Sequence, residues 1–392
     1  MSSRLHVAVL AATGRMGGAE RSLLALMSAA SRDLRFTVVL PEAGELEREA
    51  RAAGAAIEMT PWSEALLKLG ERAGRPKLQA LSAATPALWR AVADTRATIT
   101  GLRPDVVVTN GIKPHLIGAL ARGGSTRWPL VWYLRDSLDG RTLSHLLLSC
   151  ISKRCAGAIA ISNYIARDAR RYIDEHVPVR VIPNILEPST HSRSCSDDVP
   201  IKEPGSIWFA TIGALTPLKG QDVFLRAAAQ VAAQIPESRF LIIGISAYRT
   251  EERLDYASQL RRLASDLNVG DRVWFLGQRD DVPALLGKID VVVQANRGPE
   301  GFGRSVAEAM GAGVPVIASD GWGLAELIEH GRTGWLASPG DVGALAGRMA
   351  SVARDPDDRR RVSELALEHA RRSFSPARSA GEFVDFVSSI LE

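Results

Sequence analysis

Cysteine is scarce in this sequence, and long apolar runs are absent from it. The three cysteines, Cys150, Cys155 and Cys195, form no zinc-ligand spacing and cannot all pair, so we expect free thiols in a reducing compartment rather than a redox or metal site. No run approaches the ~18 apolar residues of a membrane-spanning helix, and Leu5–Leu10 is too short for the apolar core of a signal peptide. The reduced cysteines and the lack of a membrane-spanning run or signal peptide together predict a cytoplasmic protein.

Two binding motifs are missing as well. The first apolar run is not followed by Gly-x-Gly-x-x-Gly and an acidic residue, which argues against the usual nicotinamide dinucleotide site. No stretch interleaves basic and aromatic residues as a nucleic-acid groove does, so nucleic acid is not an expected partner.

The net charge of +4 conceals an asymmetry between the two halves of the chain. Residues 1–190 hold 25 Lys and Arg against 17 Asp and Glu, whereas the remainder holds 23 against 27. One interpretation is a scattered arginine-rich surface. The more specific interpretation is that the basic N-terminal half contacts an anionic partner, such as the inner face of a membrane or a phosphate-bearing acceptor. Arg167, Arg170 and Arg171 share one basic stretch, read by default as a solvated face.

At 392 residues the chain exceeds the usual size of one hydrophobic core, so two domains are expected. Runs that are apolar throughout alternate with amphipathic stretches, as in covered parallel sheets. The fold class is therefore predicted as α/β, with two Rossmann-like, doubly wound parallel sheets. The predicted strands are Leu5–Leu10, Phe36–Leu40, Val106–Thr109, Leu130–Leu134, Gly157–Ile161, Val179–Ile182, Ile207–Ile212, Phe240–Ile243, Val273–Leu276, Val291–Gln294 and Val314–Ala318.

The best domain boundary lies near residues 183 and 184. After it comes Glu187–Gly205, which is rich in Ser, Pro and Asp and reads as an exposed connection, before a second series restarts at Ile207. We predict domains at 1–183 and 184–374. Ligands of such sheets bind at the carboxyl ends of the strands.

The segment Pro299–Met310 carries the strongest chemical signal. It follows a predicted strand and opens a predicted helix, and it holds Glu300 and Glu308 with Gly301, Phe302, Gly303 and Arg304 between them. Glycines there let the backbone approach a ligand, and the amides of a helix N-terminus hold a diphosphate. Glu308 is then placed for ribose hydroxyls and Glu300 for hydroxyls of a sugar.

This pattern resembles the family-4 glycosyltransferases of the GT-B fold, whose hallmark is Glu-x7-Glu within Glu-Gly-Phe-Gly. The similarity spans the second half of the chain. Further matching segments are Thr216–Gly220, Phe275–Arg279, Asp290–Val293, Gly313–Ile317, Gly321–Glu326, Gly331–Gly334 and Pro339–Asp341.

The resemblance implies a retaining enzyme that moves a hexose from a nucleotide diphosphate sugar, UDP- or GDP-linked, to an acceptor hydroxyl. It implies a donor-binding C-terminal domain and an acceptor-binding N-terminal domain facing across a cleft, with a last helix at about 375–392 that returns to the first domain. No metal and no cofactor beyond the donor are expected. The acceptor would be a glycan, a lipid-linked glycan or a small molecule.

The donor loop Gly213–Gly220 departs from the family at one position. Lys219 matches a lysine on the donor diphosphate, but Ala214 stands where an arginine is usual, so Arg304 or backbone amides would have to compensate. Arg279, in another matching segment, is a further predicted donor contact.

The first half departs more strongly. Gly17 and Gly18 precede the first helix and are predicted to line the site near the phosphates. Arg135 and Asp136 stand where relatives have His-Asp; they are predicted either to act at the reacting centre or to form a structural ion pair.

Residues after the strand Val106–Thr109 are acceptor-pocket candidates: Asn110, Lys113 and His115. Catalysis would rest on positioning and on neutralisation of the leaving phosphate by Lys219, the helix amides and Arg135. The expected setting is cell-surface polysaccharide or glycolipid synthesis. The alternatives are tailoring of a secondary metabolite and a degenerate protein kept for binding or assembly.

Overall fold

Two separate parallel sheets organise the chain. The computed structural model describes residues 4–67, 78–124, 128–186, 199–246 and 256–392, without the side chains of 78–84. The chain divides into Met1–Ile185 with Phe374–Glu392 as the first unit and Leu186–Ser373 as the second. Residues 187–198 of the predicted connection, and with them Cys195, lie outside the described residues.

The first unit holds a sheet of seven parallel strands in the order β3-β2-β1-β4-β5-β6-β7. Its strands are β1 Leu5–Ala11, β2 Leu34–Leu40, β3 Ala56–Met59, β4 Val106–Asn110, β5 Leu130–Leu134, β6 Gly157–Ala160 and β7 Val179–Val181. Its helices are α1 Gly18–Ala30, α2 Glu45–Ala52, α3 Glu64–Leu67, α4 Leu78–Leu102, α5 Ile112–Arg122, α6 Thr142–Ile151 and α7 Asn163–Ala169, and α15 Pro376–Ser389 joins them from the end of the chain.

The second unit holds six parallel strands in the order β10-β9-β8-β11-β12-β13. Its strands are β8 Ile207–Ile212, β9 Ser238–Ile243, β10 Val273–Gly277, β11 Val291–Gln294, β12 Val316–Ser319 and β13 Trp335–Ala337. Its helices are α8 Gln221–Gln234, α9 Tyr256–Asp266, α10 Val282–Leu286, α11 Arg304–Gly311, α12 Trp322–Leu327, α13 Val342–Arg354 and α14 Pro356–Ser373.

The predicted fold class is confirmed. Interior strands such as β4 and β5 are buried along their whole length, because helices cover both faces of each sheet. Two strands were missed, β3 and β13, and both lie at a sheet edge. Edge strands need not be apolar on both faces: β3 carries Glu58 and is largely exposed, so it gives no continuous apolar run.

Strand order changes direction once in each unit. The neighbours at this switch point are β1 and β4 in the first unit and β8 and β11 in the second. Connections leave such a pair towards opposite faces of the sheet, which opens a crevice at the carboxyl ends of the two strands. The loops after these four strands are therefore where each unit is expected to bind a ligand.

Helix α15 packs against the first unit through aromatic side chains. A Cβ atom on Gly157 of β6 would lie 2.7 Å from Ile390 Cδ1 and 2.9 Å from Phe386 Cζ. The rings of Phe36 and Phe383 lie 6.5 Å apart. The first residue of α15, Pro376, lies close to the start expected for the last helix, at about residue 375. The preceding helix α14 also opens with a proline, Pro356, where the missing N–H costs no hydrogen bond. No described helix is long and apolar enough to cross a membrane.

Candidate functional site

The loops after β8 and β11 touch at the switch point of the second unit. Gly220 has a φ of +69°, and a Cβ atom there would lie 1.8 Å from the Ala295 carbonyl oxygen, so only glycine fits. The carbonyl of Leu218 accepts hydrogen bonds from the amides of Arg297 at 2.8 Å and Gly298 at 3.2 Å. The donor loop predicted from sequence is thus fixed to the end of β11.

This close approach brings Lys219 against Glu300. The Lys219 Nζ donates to Glu300 Oε2, with 31% and 18% of the two side chains exposed. Asn296, which is almost fully buried, also donates to that oxygen, at 3.4 Å. The result is a cation and a carboxylate held together by two loops, with both groups still open to solvent. Such a pair suits a ligand that carries both phosphate and hydroxyl groups.

The predicted helix N-terminus lies beside this pair. Gly303 adopts a φ of +95°, and a Cβ atom there would lie 2.4 Å from Leu324 Cδ2. Phe302 is buried, and α11 begins at Arg304, where the positive end of the helix dipole favours an anion. The glycines therefore serve tight packing as well as ligand approach.

Glu308 lies one turn into α11, as predicted, but it is not free of partners. Arg304 donates to its Oε1 through Nε at 3.1 Å and Nη2 at 2.6 Å. The spacing of four residues on a helix is itself the signal that could have revealed this pair. The charge of Arg304 is thus neutralised by Glu308. Arg304 is therefore a weaker candidate to replace the arginine missing at position 214.

Two amide side chains that the sequence analysis did not single out support the site. Gln294, at the end of β11, donates to the Ile212 carbonyl at 2.5 Å and to Ser305 Oγ at 2.6 Å, which ties β8 to α11. Asn296 Oδ1 is buried, and no partner for it occurs among the described residues. The available signal was a polar residue at the end of an otherwise apolar strand.

The start of α12, which follows β12, packs directly on the loop that carries Glu300. The amide of Gly323 donates to the Glu300 carbonyl at 2.9 Å, and a Cβ atom on Gly323 would lie 2.3 Å from the Gly301 carbonyl oxygen. Its neighbour Trp322 has a φ of +55°, a left-handed conformation that disfavours any residue except glycine. Strained backbone of this kind is concentrated at functional sites.

The remaining residues predicted to bind the donor follow two different strands, β8 and β10. Gly213 closes β8 with a φ of +145°, and Ala214 after it is exposed, its carbonyl accepting from Gln221 Nε2 at 3.0 Å. Arg279 follows β10, which β9 separates from β8. Its guanidinium makes a two-point pair with Asp281, at 2.8 and 2.6 Å, and is 7% exposed. The guanidinium of Arg279 is thus held by Asp281 within its own loop.

In the first unit, Arg135 forms the centre of a polar cluster at the ends of β4 and β5. It is buried, and it donates to Asn110 Oδ1 at 2.6 Å and to Asn184 Oδ1 at 2.8 Å. Its guanidinium lies 4.0 Å from the centre of the Tyr133 ring, within cation–π range. Asp136, by contrast, is exposed. Neutral amides thus hold the buried cation.

Glu20 completes this cluster and was not predicted as a site residue. It is the third residue of α1, and Gly17 precedes the helix, so its carboxylate folds back to accept from the Gly17 amide in a capping arrangement. Burial raises its pKa above the ordinary value, while the backbone bonds and the nearby Arg135 charge oppose that rise. The signal was Gly-x-x-Glu at a helix start. Gly18, the first residue of α1, is exposed.

His115 is not an acceptor-pocket residue, which corrects the sequence interpretation. Its side chain is 2% exposed, its Nδ1 lies 2.7 Å from Thr109 Oγ1, and its ring stacks on Trp132 at 5.2 Å. Burial lowers its pKa to about 3, so it is a neutral core residue. It lies on α5 facing the sheet, whereas Asn110 reaches the switch point.

Lys113 and the basic stretch after β6 are also engaged. Lys113 Nζ donates to the Leu67 carbonyl, Arg170 donates to the Val177 carbonyl at 3.0 Å, and Arg171 donates to Asp139 and Asp168, both at 3.3 Å.

Fold and site together define a class: tandem doubly wound α/β units, the second with a helix start beside a lysine–glutamate pair. Two family models match in succession. Glycosyltransferase Family 4 covers residues 16–189, and Glycosyl transferases group 1 covers residues 197–369.

Solved structures share the fold over nearly the whole chain. Anabaena Alr3699/HepE in complex with UDP-glucose is 24% identical, with a TM-score of 0.79 over 98% of this chain and 100% of that one. Sucrose-phosphate synthase from Thermosynechococcus elongatus is 19% identical, with a TM-score of 0.77 over 99% of each chain.

Curated relatives match over a shorter stretch. The lipopolysaccharide core biosynthesis mannosyltransferase LpcC of Rhizobium leguminosarum bv. viciae is 31% identical over 48% of this chain and 52% of its own length. A D-inositol 3-phosphate glycosyltransferase of Catenulispora acidiphila is 33% identical over 46% and 43%. The match spans about half the length of these relatives. The chain belongs to the family-4 type of GT-B glycosyltransferases.

Replacement of Trp322 should expose the strain in its backbone. We expect Trp322→Gly to be more stable than Trp322→Ala by about 1 kcal/mol, since a left-handed φ costs an L-residue that much and glycine nothing. Urea unfolding of both variants measures the difference. At Ala325, within the same helix, Ala325→Gly should show the ordinary opposite order. Equal stability of the two Trp322 variants would contradict the left-handed conformation.

Acidification should destabilise the first unit through His115. Its folded-state pKa lies below the unfolded value, so its contribution is fully present above pH 6.5 and is lost as the pH falls towards 3. At pH 5 the loss is about 2 kcal/mol. Unfolding at pH 7 and pH 5 should show a smaller loss for His115→Gln than for the parent. Exposed His176, changed to Gln, should leave the loss unaltered.

Proposed function

We propose that this protein is a retaining glycosyltransferase that transfers a hexose from a nucleotide diphosphate sugar to an acceptor hydroxyl, in cell-surface polysaccharide or glycolipid synthesis. The observation that carries the proposal is the contact of Lys219 with Glu300 beside the start of α11. Membership of the family-4 type supports the reaction class. The relatives named for lipopolysaccharide core and colanic acid synthesis support the setting.

In this proposal the second unit binds the donor. Lys219 and the amides at the start of α11 hold the diphosphate, Glu308 accepts from the ribose hydroxyls, and Glu300 accepts from the transferred sugar. The donor is UDP-linked, a choice supported by the HepE structures, which were solved with UDP and with UDP-glucose. The pairs of Lys219 with Glu300 and Arg304 with Glu308 then exchange their internal hydrogen bonds for bonds to the ligand.

The chemistry would rest on positioning and charge neutralisation. The acceptor hydroxyl attacks the anomeric carbon on the face from which the diphosphate leaves, the bond to the phosphate oxygen breaks, and that oxygen takes the hydroxyl proton. Lys219 and the helix amides neutralise the developing phosphate charge. The scheme uses no metal. In the first unit, Arg135 is the residue we assign to an anionic acceptor, together with Asp136, Gly17 and Gly18.

A second candidate is a protein that has kept the donor fold for binding or assembly without catalysis. Ala214 favours it, because the donor loop lacks a cation there and Arg304 is already paired with Glu308. Binding and turnover separate the two candidates. A protein that binds UDP-sugar and neither transfers nor hydrolyses the sugar would be the assembly partner.

Loss of the Lys219 charge should weaken donor binding. Calorimetric titration with UDP-, GDP-, ADP- and dTDP-sugars identifies the nucleotide, and Lys219→Ala should then lower the affinity by about tenfold to a hundredfold, as for a charge-assisted hydrogen bond. Lys202 is the matched control. It also pairs with a carboxylate, Asp290, at 2.6 Å with 30% of its side chain exposed, but away from the site. Lys202→Ala should bind normally; equal losses in both variants would contradict the proposed site.

Addition of the missing cation should have the opposite effect. Ala214 is exposed, so an arginine fits there without displacing the core. We expect Ala214→Arg to tighten UDP binding about threefold to tenfold at low salt, and the gain to vanish at 1 M salt, where the screening length is ~3 Å. Ala214→Gln, which adds length without charge, should show no gain. Unchanged binding by the arginine variant would indicate that the diphosphate lies away from this loop.

A further inference from the structure

Helix α6 of the first unit presents apolar side chains to solvent. Leu143, Leu146 and Leu147 are 47%, 61% and 41% exposed, and Cys150 is exposed as well. Their spacing of three, four and seven residues places all four on one face of the helix. We refer to these four residues as the apolar stripe.

The apolar stripe is separate from the face that packs into the unit. Leu148, which points away from the stripe, and Ile151, at its flank, are 1% and 7% exposed and already anchor the helix to the core. A surface helix normally turns charged residues outward, yet α6 contains none between Thr142 and Ile151. Exposed large apolar side chains grouped on one face mark an interaction surface, whereas isolated ones need no explanation. Ile201, 92% exposed in the second unit, is isolated by contrast, since a proline and a lysine stand beside it and Val199 is buried.

Cations stand at both ends of the apolar stripe. Arg141 precedes the first turn of α6 and is exposed, and Lys153, just after the last turn, is 84% exposed. Of the acidic groups nearby, Asp139 accepts from Arg171 at 3.3 Å. Asp174 lies 3.9 Å from Lys153 and offsets part of its charge, whereas Arg141 has no such acidic partner among the described residues. Residues 1–190 as a whole carry 25 Lys and Arg against 17 Asp and Glu. The surroundings of the stripe therefore favour an anionic partner.

The size and shape of the stripe favour a lipid surface over a second copy of the chain. Three half-exposed leucines offer about 300 Å² at most, well below the ~800 Å² that each partner contributes to a stable interface. Leucines that enter the headgroup boundary and cations that attract anionic lipid each contribute to the binding of a protein surface to a bilayer, and such binding does not need the area of a stable protein interface.

We propose that the apolar stripe of α6 docks the first unit on an anionic phospholipid bilayer, with Leu143, Leu146 and Leu147 entering the headgroup boundary and Arg141 and Lys153 contacting lipid phosphates. The inference rests on the exposed surface alone. Donor binding by the second unit takes no part in it.

The test is sedimentation of the whole protein with vesicles of phosphatidylglycerol and phosphatidylcholine, at 0.1 M salt. We expect binding that falls at least tenfold for Leu146→Asp and, as a second variant, for Leu143→Asp, and that falls several-fold on vesicles of phosphatidylcholine alone. Ile201→Asp is the matched control, since it places the same charge on another exposed apolar residue, and it should bind like the parent.

Three outcomes would overturn the proposal. One is absence of binding by the parent protein, another is equal binding by the Ile201 and Leu146 variants, and the third is a self-association lost in Leu146→Asp, which would assign the stripe to a second copy. UDP-sugar titration of Leu146→Asp separates this result from the proposed function. Normal donor binding by a variant that no longer reaches vesicles leaves each conclusion standing by itself.

Discussion

The second unit depends on the close approach of two backbones at its switch point. Gly220 lies so near the Ala295 carbonyl that no side chain fits between them, and this fixes the loop after β8 on the end of β11. Lys219 therefore meets Glu300, and the carbonyl of Glu300 in turn accepts from the amide of Gly323 at the start of α12. Segments that follow three adjacent strands are thus joined through one glutamate, so its carboxylate is positioned before any ligand binds.

In the first unit, the carboxyl ends of β4 and β5 surround a buried positive charge, which must be stabilised there. Arg135 is a buried cation, and burial of a charge is costly unless polar groups compensate. Asn110 and Asn184 supply oxygens without cancelling the charge, and Tyr133 supplies a ring face. The cluster therefore keeps a positive field at the carboxyl ends of its strands, moderated by the partly buried Glu20. A histidine, usual here in the family, would supply that field only when protonated.

Prediction succeeded where local pattern and tertiary environment impose the same requirement. Interior strands such as β8 and β11 are buried on both faces, so their residues are apolar except for Thr211 and Gln294 near the strand ends, and their bounds were predicted to the residue. The edge strand β3 has a solvent side and lacked that signal. The prediction that His115 lines the acceptor pocket was wrong for a related reason. His115 follows β4 closely in the sequence, but its position on α5 directs its ring onto Trp132 and into the core.

By itself, the sequence determined the two doubly wound sheets, the helix that starts at Arg304 and the glycines around it, because strand burial and helix initiation depend on residues close together in the chain. The tertiary structure decided how polar side chains pair with one another and where the backbone is strained. Arg279 is matched by Asp281, Asn296 is drawn beneath Glu300, and Trp322 holds a left-handed conformation. These outcomes depend on how loops from different strands pack against one another, and the distances that decide them are set only once the sheet has formed.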